Sequence, residues 1–124
     1  MVKGLTDISV ISTMTGLQYL FLQSLRNVRS IPDLSKLTAL RRIYLENMKG
    51  LQDISALGSA PALEEFIHVA AGGMEPVQYL PLLKSKTLKN LIVGLESIKK
   101  DKALQDLASQ AGIFEWKLSE FAFS

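Results

Sequence analysis

The chain has 124 residues, no cysteine and a formal net charge of +2, with 48% hydrophobic and 21% charged residues. This size suits one compact domain, the hydrophobic content argues against disorder, and the lack of cysteine excludes a disulfide framework. So small a net charge does not indicate nucleic acid or an anionic membrane surface as a partner. Because no apolar run resembles a signal peptide or a membrane span, we expect a cytoplasmic protein.

Residues 1–16 have apolar side chains at about every third position, a spacing typical of a short helical turn that packs one stripe inward. The spacing matches the second half of a repeating unit that recurs further along the chain. We therefore interpret residues 1–16 as half a repeat. Its apolar positions are Val2, Leu5, Ile8, Ile11 and Met14.

From Leu17 onward an apolar LxxLxL phrase recurs, first at a stride of 23 residues and then at a stride of 25. In each copy the shared apolar positions of the phrase recur at every second residue, as at Leu20 and Leu22, which predicts a short strand with one buried face. Strands joined by helical crossovers form a parallel sheet. The pattern thus predicts about five parallel strands, in repeats that begin near residues 17, 40, 63, 88 and 113.

Between the strands, apolar residues recur about every three positions and predict short 3₁₀ or α helices. Asp7, Ser30 and Asp53 stand where a side-chain oxygen can accept from free amides at a helix start. The stretches 76–83 and 102–111, the latter stopped by Gly112, predict fuller helices. The predicted inward columns are Ile8, Ile31, Ile54 and Val77; Ile11, Leu34, Leu57 and Leu80; and Met14, Leu37, Ala60 and Leu83.

The recurring phrase resembles the leucine-rich-repeat family over nearly the whole chain, and residues 51–57 resemble its internalin-like and phosphatase-regulator-like branch. The resemblance implies an α/β fold: one solenoid domain over residues 1–124, with the parallel strands on a concave face and the short helices on a convex face. The family's usual turn asparagine is missing, so we expect the turns to satisfy their backbone in another way. That slot holds Leu25, Met48, Ala71, Glu96 and Phe121.

Both ends of the repeat pattern lack the polar capping structure that normally shields a terminal unit. Three interpretations stay open: a fragment of a longer array, a homo-oligomer through uncapped ends, or sufficient shielding by polar residues near Lys3 and Ser124.

Signals for catalysis are weak. His68 is the only histidine and shares the inward column of Leu22 and Leu45, so we expect a hydrogen-bonded core side chain, or one turned outward by a bulge near residues 72 and 73, rather than a general base or metal ligand. Adjacent Glu64 and Glu65 would point to opposite faces of a strand. We therefore predict no enzyme activity, no cofactor and no metal site.

The outward positions of the strands carry the functional prediction. Large apolar residues fill the middle column and charged residues flank it, which is typical of a protein-binding surface. An internal ladder that only stabilises the sheet is the alternative interpretation. We expect a protein-binding module, with a neutralising immunity-type protein or a structural, self-associating segment of a larger repeat protein as alternatives. The predicted binding residues are Phe21, Tyr44, Ile67 and Ile92 as anchors, with Tyr19, Arg42, Glu46 and Glu65 around them.

Overall fold

The computed structural model describes residues 8–113, which form an α/β fold with one parallel four-stranded sheet. The strands lie side by side in chain order, so each one pairs with the strand of the next unit. The parallel sheet agrees with the prediction, while the predicted fifth strand lies outside the described residues. The strands are β1 (Tyr19–Gln23), β2 (Arg42–Glu46), β3 (Glu65–Val69) and β4 (Asn90–Val93).

Short helices precede β1, connect β2 to β3 and β3 to β4, and follow β4. They are the 3₁₀ helices Ser9–Thr13, Ser55–Ser59 and Pro76–Tyr79, and the α-helices α1 (Leu80–Leu83) and α2 (Ile98–Gln110). The connection from β1 to β2 contains turns and no helix, so the short helix predicted there is wrong.

Strand pairing follows the sequence repeat residue for residue. Tyr19 pairs with Arg42 and Arg42 with Glu65, at the predicted spacing of 23, and Glu65 pairs with Asn90 across the longer unit. Because side chains alternate along a strand, this register lines up inward residues from all four units. Those residues form one continuous hydrophobic core between the sheet and the helices. Its fully buried strand members include Ile43, Leu45, Phe66 and Leu91.

The predicted inward columns fail at Met14 in the first described unit, which is exposed, and in the third unit. Val77 is 63% exposed and Leu80 is also exposed, whereas Tyr79 and Leu82 are buried. The prediction for Val77 and Leu80 is wrong because the two additional residues of this unit precede Tyr79, which shifts the inward positions along the chain. The stretch 76–83 is nevertheless helical as predicted, with the Glu75 amide donating to Gln78 Oε1 at 2.7 Å.

Helix α2 begins four residues earlier than predicted. Ser97 is its N-cap, with Oγ accepting from the Lys100 amide at 3.3 Å, and the chain leaves the helix at Gly112, whose φ is +85°. Leu104 and Ala108 bury the inner side. The sequence did not predict the first turn of α2, because its apolar residue, Ile98, does not fall on the inward apolar spacing and is 90% exposed.

One of the predicted helix-start acceptors is confirmed. Asp53 Oδ1 accepts from the Ser55 amide at 2.9 Å. In the second unit the prediction of Ser30 is wrong: Asp33 accepts from the Ser35 amide at 3.2 Å, at the start of a turn and not of a helix. Asp7 lies outside the described residues.

The turns after the strands satisfy their backbone without a turn asparagine in the slot named above. Ser24 donates its amide to the Glu46 carbonyl at 2.9 Å, and Asn47 donates to the Val69 carbonyl at 3.2 Å. Both residues, like Ala70, have positive φ values between 54° and 57°. The next residue of each turn is apolar and buried: Leu25, Met48 and Ala71, and in the fourth unit Leu95, one position before the predicted Glu96.

Candidate functional site

The outer sheet face is the side of β1–β4 that points away from the main core. Its first column crosses all four strands as a chain of polar contacts. The Arg42 guanidinium carbon lies 5.6 Å from the Tyr19 ring centroid, and Arg42 Nε donates to Glu65 Oε1 at 3.1 Å. Asn90 Nδ2 donates to Glu65 Oε2 at 3.4 Å. These contacts hold the predicted rim residues Tyr19, Arg42 and Glu65 together in fixed positions.

The middle column begins with a pair of stacked aromatic rings. Phe21 and Tyr44 have ring centroids 4.7 Å apart and planes inclined by only 7°. Phe21 is 46% exposed because β1 lies at an edge of the described sheet, whereas Tyr44 is 7% exposed beneath its neighbours. The accessible apolar surface of this column is therefore concentrated on Phe21.

The prediction that the middle column forms a continuous exposed apolar strip is wrong. Tyr44 and Ile67 are buried, and together with partly buried Val69 and Ile92 they form a second small hydrophobic cluster on this face. The reason is that neighbouring parallel strands place these side chains against one another, so each covers the next. For Ile67, at 1% exposure, the ladder interpretation fits better than that of a binding anchor.

Glu46 is positioned by the side chains around it. Tyr44 donates its hydroxyl to Oε1 at 2.6 Å, and Gln23 Nε2 donates to Oε2 at 2.9 Å. These two hydrogen bonds, that of Tyr44 first, lower the pKa of Glu46 below its ordinary value and so keep the carboxylate charged. Burial, followed by the hydrogen bond to Glu46, raises the pKa of Tyr44 to about 12.

A second row of charges lies just before the strands and was missed in the sequence. Arg41 NH2 lies 3.1 Å from Glu64 Oε2, beside the Arg42–Glu65 pair. Together with Gln18 and Tyr19 these residues line a groove of about 280 Å³. The signal was present as two adjacent arginines followed 23 residues later by two adjacent glutamates.

His68 faces the core. It is 1% exposed, its Nδ1 lies 2.8 Å from the Tyr79 hydroxyl, and its ring meets the Phe66 ring edge-on at 5.9 Å. Burial lowers its pKa to about 4, so the ring is neutral at physiological pH. The expectation of a hydrogen-bonded core histidine is confirmed.

Within residues 8–113 no group of three or more His, Asp or Glu side chains is placed to hold a metal ion. In the same part of the chain, no helix has the length and apolar character needed to cross a membrane. No family model matches the chain, and neither the curated proteins nor the solved structures contain a match.

Proposed function

We propose that the chain is a leucine-rich-repeat solenoid that acts as a non-enzymatic, cytoplasmic protein-binding module. The regular strand register, the single strand per unit and the buried inward columns support the solenoid. In a solenoid each unit covers the apolar face of its neighbour, which is the packing expected of so short a strand and helix.

The observation that carries the binding proposal is the exposed aromatic pair on β1. Tyr19 and Phe21 are two residues apart on the outer sheet face, and both are large side chains that retain more than a third of their exposure. Charged side chains surround them and are already held by ion pairs and hydrogen bonds. A surface whose side chains are ordered before contact loses less entropy on binding. An aromatic centre with such a polar border suits a protein partner.

The buried, neutral state of His68 favours binding over catalysis. A general base must reach a substrate proton through a hydrogen bond, and this imidazole is enclosed by core side chains. The remaining functional features lie on an open surface, which suits recognition better than chemistry.

A second candidate is self-association as a structural segment. Val10 and Met14 are exposed apolar residues in and just after the 3₁₀ helix Ser9–Thr13, in the first described unit. If that unit docks a second copy, light scattering will show a dimer or larger species that Val10→Ser converts to a monomer. A monomer for the unaltered chain at high concentration would exclude this candidate.

The binding proposal is tested with an immobilised chain and extract from the native source. Phe21→Ala should abolish capture of the specific partner, because it removes the exposed ring from the centre of the surface. The matched control is Ile98→Ala, which removes an even more exposed apolar side chain from α2 and should leave capture unchanged. Equal capture by both variants would contradict the proposal, provided that circular dichroism shows both to be folded.

A further inference from the structure

The Glu46 carboxylate on the outer sheet face forms no salt bridge with the nearby arginines, which pair with other carboxylates. Arg41 pairs with Glu64 and Arg42 pairs with Glu65, each at 3.1 Å. Among the described residues, none forms a salt bridge with Glu46, whose contacts come from the neutral groups of Tyr44 and Gln23. A partner that covers this face would therefore have to supply the compensating positive charge, since a desolvated, unpaired carboxylate is costly.

The hydrogen bonds that Glu46 already accepts also determine which cationic group of a partner fits its remaining acceptor sites. A carboxylate has about four acceptor sites, two on each oxygen. Tyr44 occupies a site on Oε1 and Gln23 a site on Oε2, so each oxygen keeps acceptor capacity. Two parallel N–H donors match that arrangement, and a guanidinium group presents such a pair whereas an ammonium group does not.

Phe21 provides the apolar surface that such a side chain needs. Gln23, which contacts Glu46, follows Phe21 by two residues on the same face of β1, and Tyr44 connects the Phe21 ring to Glu46 through its own ring and hydroxyl. Long cationic side chains bury their methylene stems on apolar surface while the charged group stays at the polar end. Arg42 already packs its guanidinium over Tyr19 in the adjacent column.

We propose that Phe21 and Glu46 form a receptor for an arginine side chain of the protein partner, with the stem on the Phe21 ring and the guanidinium bidentate to Glu46. This inference rests on the proposed function, because it names the chemical group that the binding surface takes from its partner.

The test uses the complete chain and the tripeptide acetyl-Gly-Arg-Gly-amide, followed by two-dimensional NMR. We expect saturable chemical-shift changes centred on Phe21, Gln23 and Glu46. The citrulline analogue, which has the same shape without the charge, should give none, and the lysine analogue should bind several-fold more weakly because it cannot donate two parallel hydrogen bonds. Equal shifts with citrulline or lysine, or no shifts with arginine, would overturn the proposal.

Two carboxylate variants provide the matched comparison. Glu46→Gln removes the charge but keeps an oxygen for the Tyr44 hydroxyl, and it should weaken the arginine peptide roughly fivefold, the upper end for an accessible ion pair. Asp106→Asn changes the net charge equally on α2, where the carboxylate is well exposed, and should have no effect. An equal loss in both variants would reduce the interaction to general electrostatic attraction and contradict the receptor.

The same variants separate this inference from the broader proposal. If Phe21→Ala abolishes capture of the partner and Glu46→Gln does not, the face binds a protein but the arginine receptor is wrong. If neither change affects capture, both proposals fail.

Discussion

The Nδ1 atom of His68 lies 2.8 Å from the hydroxyl oxygen of Tyr79, and this hydrogen bond ties β3 to the end of the 3₁₀ helix Pro76–Tyr79 inside the core. Both side chains are almost completely buried. In the first two units the position of His68 is held by Leu22 and Leu45, which need no polar partner. The third unit therefore combines a polar substitution in the strand with a tyrosine that satisfies it.

Removing the Tyr79 hydroxyl should destabilise the fold, because His68 is a buried polar residue that needs a hydrogen-bond partner. Tyr79→Phe leaves the buried Nδ1 without a partner, so we expect it to lower the free energy of unfolding by about 1–3 kcal/mol. Urea denaturation at neutral pH measures the difference. Tyr19→Phe deletes the same hydroxyl from a ring that is exposed on the outer sheet face and should change stability by less than about 0.5 kcal/mol. Similar losses in both variants would show that the buried hydrogen bond has no special role.

Acid should weaken the fold through His68. Its pKa falls from 6.5 to about 4 on folding, because burial disfavours the imidazolium. Between these values the unfolded chain binds a proton that the folded chain does not, so stability is complete above about pH 6.5 and declines as the pH falls toward 4. A shift of this size corresponds to roughly 3 kcal/mol when fully developed.

The measurement is the free energy of unfolding as a function of pH for the unaltered chain and for His68→Leu. The variant carries the residue found at the matching position of the first two units and should show a flatter profile between pH 6.5 and 4. Carboxylates with lowered pKa values, such as Asp33 and Asp53, remain in both proteins, so their effect cancels in the comparison. Parallel profiles would contradict the assignment of this window to His68.

The turn after β3 should be improved by glycine. Ala70 has a φ of +54°, in the left-handed region where a Cβ costs roughly 1–2 kcal/mol, while the matching turns place serine and asparagine there. We expect Ala70→Gly to raise the free energy of unfolding by about 0.5 kcal/mol after the entropic cost of glycine is subtracted. The same substitution at exposed Ala103 in α2 should instead destabilise by about 1 kcal/mol. Thermal unfolding of the two variants should therefore move in opposite directions; a shared direction would argue against strain at Ala70.

The parts of the fold that repeat were accessible from the sequence, and those that interrupt the repeat were not. The strand around Leu20 and Leu22 was predictable because alternation and a constant stride both indicated it. Val77 and Leu80 were misplaced because the repeat pattern shows that this unit is two residues longer but does not show where the two residues are inserted. Burial of Tyr79 shows that the lengthening precedes it, and that depends on packing against His68 and Phe66.

For the candidate site, the outward columns were predictable but the exposure of their members was not. Alternation places Phe21, Tyr44 and Ile67 on one face and the register makes them neighbours. Whether a neighbour is covered depends on side-chain contact across strands and on which strand lies at the edge. Phe21 keeps its exposure and Ile67 loses it for this reason.

By itself, the sequence determined the strand spacing, the inward residues of the regular units and the absence of a disulfide framework, because these follow from local periodicity and composition. The tertiary structure alone decided the partner of His68, the burial of Ile67 and the contact of Gln23 with Glu46. Each of these depends on atoms from residues 11 or more positions apart, or on neighbouring strands, which meet only when the units stack. Periodicity selects the face of a strand on which a side chain lies, and packing then determines its environment.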